Sequence, residues 1–175
     1  MIKYAVVVVS FAGVLGAANP ASADVCGDIN TVYESSKNGY MAWRGTYDRD
    51  SEEYMSHFQL PNTSQCAIRT YGLDVPNFDC EWQMNSAEEM RSAYSALAAL
   101  IQGCRIGGVK ASSFDLKPRP IESKYRARSN LAGRKFNYDL GNSTFGIALN
   151  HATIIDKRRG TQSHEVSIGF ELSND

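Results

Sequence analysis

Apolar positions along this chain recur with two different periods, and the change between them marks its best-defined stretch. Gln65-Cys66-Ala67-Ile68-Arg69-Thr70-Tyr71 and Phe78-Asp79-Cys80-Glu81-Trp82-Gln83-Met84 are rich in strand formers. Between them lies Gly72-Leu73-Asp74-Val75-Pro76-Asn77, whose Gly, Pro and Asn favour a turn. A hairpin symmetric about Leu73 sets Cys66 opposite Cys80, and alternation puts Ile68, Phe78 and Trp82 on one face. The period then lengthens. Met90, Tyr94, Leu97, Ile101 and Cys104 recur every three or four residues, as one stripe of a helix. Ser86 and Glu89 form a capping box ahead of it, in which the carboxylate reaches back to Ser86, and Gly103 is its stop.

The flanks read less sharply. Asp28 is placed to N-cap a helix carrying Ile29, Val32, Tyr33 and Ser36 on one side, ending at Asn38-Gly39 or running on to Trp43. Residues 47–53 are polar and predict a loop, after which Tyr54, Ser56, Phe58 and Leu60 alternate as a strand that Pro61 closes. Gly107-Gly108 predicts a turn, Ala111 to Leu116 a short strand, and Lys117-Pro118-Arg119-Pro120 an extended link. Tyr125 to Arg128 reads as strand and Ser129 to Gly133 as a turn. Three runs then alternate in series: Phe136, Tyr138, Leu140; Phe145, Ile147, Leu149; and Val166, Ile168, Phe170, Leu172. They predict an antiparallel meander. The expectation is one α+β domain over residues 24–175, with two helices packed on one face of a twisted antiparallel sheet of about six strands.

The first residues belong to a different class. Lys3, an apolar run from Tyr4 to Ala18, and Ala21-Ser22-Ala23 read as a signal peptide over residues 1–23, cleaved after Ala23. That run is shorter than the ~20 residues of a membrane span. A periplasmic or secreted product without stable membrane insertion is expected. Four cysteines in such a product predict two disulfides. Three pairings are open; the preferred one ties Cys26, at the start of the first helix, to Cys104, at the end of the second, with Cys66–Cys80 across the hairpin.

The spacing of Leu60-Pro61, Cys66, Cys80-Glu81-Trp82, Ala87, Tyr94, Leu97 and Cys104 resembles a motif of small exported bacterial proteins of unknown role. The helix–three-strand–helix order over residues 28–104 is also similar to the type III secretion chaperone-like fold. That resemblance implies a protein-binding module and brings no functional residue with it.

Charge sharpens the picture. From Asp24 to Cys104 there are five Lys/Arg against twelve Asp/Glu, and from Arg105 to Asp175 twelve against seven. Lys157, Arg158 and Arg159, with Arg126, Arg128, Arg134 and Lys135, form the one cluster suited to an anionic partner. That partner is expected to be another protein; near-neutral total charge on an exported chain argues against nucleic acid. His57, His151 and His164 are too scattered for a metal site and read as surface or turn residues. Glu52-Glu53 and Glu88-Glu89 read as solvated or capping acids, no phosphate-cradling glycine motif occurs, and no cofactor is expected. The functional expectation is an exported protein-binding or accessory module, of inhibitor, immunity or envelope-factor type, without catalytic activity. The alternative is a small secreted hydrolase whose His, Ser and Asp/Glu residues come together only on folding.

Overall fold

A computed structural model describes residues 24–70, 72, 75–118, 121, 122, 124 and 126–174. The expected signal peptide and its cleavage site lie outside the described residues, as do Arg119, Pro120 and Tyr125. The elements in order are α1 (Val25–Ser36), a 3-10 turn (Met41–Trp43), β1 (Arg44–Asp48), β2 (Glu53–Ser56), β3 (Gln65–Arg69), β4 (Asn77–Met84) and α2 (Ala87–Gly103). A small hairpin of β5 (Arg105–Ile106) and β6 (Val109–Lys110) follows, then β7 (Ser112–Leu116) and β8 (Ile121–Glu122). Three long strands close the order: β9 (Arg126–Asp139), β10 (Ser143–Asp156) and β11 (Thr161–Asn174).

The main sheet is antiparallel throughout and runs β1-β2-β3-β4-β11-β10-β9-β7, with β8 pairing β9 beyond the end of β7. Two meanders therefore meet at a seam between β4 and β11, where His164 to Phe170 pair with Met84 to Phe78. Both helices cover the same side. Tyr33 of α1 packs edge-on against Phe145, Tyr94 of α2 against His151, and the Tyr138 hydroxyl donates to the Ile101 carbonyl across 3.1 Å. Burial pushes that phenol's pKa up to about 12. Alternation sends Phe136, Phe145, Ile147, Leu149, Val166, Ile168 and Phe170 to the helix side, where all are buried. They meet Ile29 and Val32 of α1 and Met90, Leu97 and Ile101 of α2. Rings run through this layer from Trp43 and Phe58 to Phe78, Phe170 and Phe145.

The two disulfides join Cys26 to Cys104 and Cys66 to Cys80, and Cys66 lies opposite Cys80 in the β3–β4 ladder. They match the preferred pairing and put the helix termini under the same covalent restraint as the hairpin. Ser86 caps α2, its Oγ accepting from the Glu89 amide at 3.1 Å. The Glu89 carboxylate reaches back to the Asn85 amide rather than to Ser86.

Several expectations need correction. The sheet has eight strands in its main path, not about six, and four strands rather than three lie between the helices. Asp24, not Asp28, caps α1, accepting from the Gly27 amide; Asp28 sits one turn on, its pKa raised by burial and by the Asp24 charge. The polar stretch 47–53 is partly strand, because Arg44–Asp48 is an edge that needs no buried face of its own. The run from Tyr54 stops at Ser56. There the serine hydroxyl accepts from the Phe58 amide and turns the chain, while the His57 amide, donating to the Trp43 carbonyl, prolongs the pairing with the β1 side by one step. Residues 129–133 form no turn: Ala132 pairs His151 and Ser129 pairs Thr153, so two residues of β9 oppose Ala152 in a bulge.

Candidate functional site

The basic cluster is built on the hairpin between β10 and β11. The Asp156 carboxylate accepts from the Arg159 amide at 3.1 Å and the Arg158 amide at 2.9 Å, and these bonds hold its pKa below the usual carboxylate range. This fixes the Lys157-Arg158-Arg159 tip, whose side chains are exposed. Register places Arg126 opposite Asp156 and Arg128 opposite Ile154, so five basic residues distant in sequence share one end of the meander. Lys157 reaches Glu122 of β8, whose carboxyl is held down by that hydrogen bond. Arg134 and Lys135, also expected in the cluster, lie elsewhere. Arg134 bridges Asp115 at 2.8 Å on the helix side, and Lys135 bonds Glu171 on the other.

The candidate chemical residues are dispersed. All four cysteines are in disulfides, and among the described residues no group of three or more His, Cys, Asp or Glu is placed to hold a metal ion. His57 lies just beyond β2, near Gly45 of β1. His151, expected at the surface, is half-buried against Tyr94, and burial together with the Arg91 charge lowers its pKa. His164 Nδ1 stands 3.1 Å from the Thr153 hydroxyl, but Thr153 is only 2 % exposed. Glu53 bridges Arg69, and Glu89 serves the α2 cap.

Sequence reading missed a second surface, the side of the sheet away from the helices. Its central positions are small or polar: Gly133, Gly146, Ala148, Asn150, Ala152, Ser167 and Gly169. At the seam, Gly169 pairs Asp79, and a β-carbon there would stand 2.5 Å from Asp79 Oδ1. The glycine thus lets the carboxylate lie flat on the backbone. Asp79 Oδ2 is buried without a hydrogen bond, and its closest cation, Arg69, is 3.9 Å away. Burial raises the Asp79 pKa to about 6, with the Glu53, Glu81 and Glu171 charges adding to the shift and Arg69 opposing it.

Toward the other edge, Gly133 pairs Asn150, and a β-carbon on Gly133 would meet Asn150 Oδ1 at 2.2 Å. Phe114 and Leu116 of β7 stand on this same side, next to Lys135 and Gly133. Together with Lys117 and Pro118 they wall a cleft of about 490 Å³. Nothing in the amino-acid pattern announced it, because glycine and asparagine in a strand give no hydrophobic alternation. No family model, curated protein or solved structure matches the chain.

Proposed function

We propose that the chain is an exported module that binds an acidic face of another protein through the basic end of its C-terminal meander and performs no catalysis itself. The observation that carries this reading is the register: pairing β9 with β10 gathers Arg126 and Arg128 beside the Lys157-Arg158-Arg159 tip. Like charges held together on a fixed hairpin favour an anionic surface and steer its approach. The two disulfides fit an oxidising compartment, and among the described residues no helix is long and apolar enough to cross a membrane. The chaperone-like layout expected for residues 28–104 has three strands between its helices where this chain has four, so the reading rests on the basic cluster.

A hydrolase reading would draw on Thr153 and His164. The threonine hydroxyl is buried, and the outer imidazole nitrogen faces the Gln162 amide at 3.5 Å, where a triad would need a carboxylate. Binding is the better account. Its test is capture from envelope extract by residues 24–175, at low and high salt, followed by affinity measurement with the captured protein. Salt-sensitive binding to an acidic protein is expected, with loss of most affinity when Lys157, Arg158 and Arg159 are all replaced by Ala. Equal binding by that triple variant rejects the reading.

A further inference from the structure

The cleft beside β7 lies on the helix-free side of the sheet, away from the hairpin tip, and the protein-binding reading makes no use of it. Its volume of about 490 Å³ is that of a small-ligand site rather than a packing defect. It is open to solvent along the sheet, so an occupant keeps one side in water. Its lining is apolar and amide-bearing, with the charged groups Lys117 and Asp115, the latter bridged by Arg134. Phe114 is 51 % exposed and offers an aromatic surface that the fold itself does not bury. Leu116 and Pro118 extend that apolar wall. The floor is the Asn150 amide, which can both donate and accept and which lies over Gly133 beside Leu116 Cδ1. Lys117 adds an ammonium at the rim.

These features define the occupant. It must be thin enough to lie over the Asn150 amide and must present one flat apolar side to Phe114 and Leu116. Its edge needs groups that pair with a primary amide, and its outward side must be polar. A lipid chain or fused aromatic would leave apolar surface in water, and a polyanion would meet the Asp115 carboxylate in the lining. A pyranose ring meets every requirement: apolar C–H groups on one side, hydroxyl or acylamino groups around the edge, and a hydrated outer side. We propose that this cleft, walled by Phe114 and Leu116 and floored by Gly133 and Asn150, is a saccharide-binding site.

The test is a titration of ¹⁵N-labelled residues 24–175 with the β-1,4-linked trisaccharide of N-acetylglucosamine, followed by amide shifts. Saturable shifts at Phe114, Lys117, Gly133 and Asn150 are expected below about 10 mM ligand. Phe114→Ala, at an exposed edge position that should leave the fold's spectrum intact, should weaken binding about tenfold. Asn150→Ala should weaken it as well, and the triple alanine variant of the hairpin tip should bind as the wild type does. The proposal falls if no saturable shift occurs at that concentration, if the shifts map elsewhere, or if Phe114→Ala leaves Kd unchanged. It falls equally if the apolar dye anilinonaphthalene sulfonate occupies the cleft while the trisaccharide does not. Because the hairpin variant is read separately, failure here leaves the protein-binding reading standing, and the reverse also holds.

Discussion

The two meanders solve the same problem differently. In the N-terminal one, β1, β2 and β3 have five, four and five residues, and β3 pairs with β4 over only five positions. The Cys66–Cys80 disulfide lies in this meander, while Cys26–Cys104 ties the two helices to each other. In the C-terminal one, β9, β10 and β11 each have 14 residues, and β10 and β11 pair without interruption from Ser143 to Asp156. The comparison teaches that the one disulfide within the sheet sits where the hydrogen-bonded ladder is short. A long ladder with one buried face fixes its own register, since a one-residue slip would turn every core side chain outward. A five-residue hairpin lacks that cooperativity, and a bond between Cys66 and Cys80 supplies it.

The comparison can be broken most severely at the helix staple. Replacing Cys26 and Cys104 with Ala opens a separation of 78 residues and should cost about 4 to 5 kcal/mol in urea unfolding. A loss below about 1 kcal/mol would show that packing alone holds the two helices on the sheet. Next comes Phe170→Ala, at the seam. Its ring touches both Phe78 and Phe145 and is 1 % exposed, so a loss of about 3 to 4 kcal/mol is expected, with the two halves still unfolding as one transition. Separate transitions would mean that the meanders are independent.

Removing Cys66 and Cys80, which are 14 residues apart, should cost about 3 kcal/mol. Hydrogen exchange should then rise in β2 and β3 more than in β9 to β11; uniform acceleration would refute the division of labour. The smallest effect concerns Asp79. Its folded pKa of about 6 lies above the usual carboxylate value of 3.8, so the folded state binds this proton more tightly than the unfolded state. Stability from this group is fully present below pH 3.8 and is lost as pH rises through 6. Asp79→Asn should therefore stabilise at pH 7.5, by about 1 kcal/mol once screening of a side chain 35 % exposed is allowed for, and the gain should vanish near pH 4. Equal melting temperatures for the two proteins at pH 7.5 would reject the assignment.

What could be read from sequence follows the same division. The C-terminal strands declare themselves because Phe145, Ile147 and Leu149, and Val166, Ile168 and Phe170, alternate over a buried face. The α2 cap and the Cys66–Cys80 pairing were legible because capping boxes and hairpin symmetry are local rules. The edge strand β1 was not, since Arg44-Gly45-Thr46-Tyr47-Asp48 buries no full face and its place depends on a partner strand. The bulge in β9 was mistaken for a turn because Ser129, Asn130 and Gly133 are turn formers, and only the neighbouring strand β10 overrides that preference. The five basic residues were identifiable as a group, but Arg134 and Lys135 joined them only by sequence proximity; strand alternation sends the two to opposite sides. The cleft and the Asp79 site were invisible, since both depend on what a missing side chain permits across a strand pair.

One consequence follows from the position of β11. The strand that comes latest in sequence lies innermost, between β4 and β10. Until residues 161–174 are synthesised, the β4 edge has no neighbour on that side and Phe170 cannot link the rings of Phe78 and Phe145. Translation order and folding order are thereby set against each other. A polypeptide built in this way cannot close its central seam until its last strand has been made.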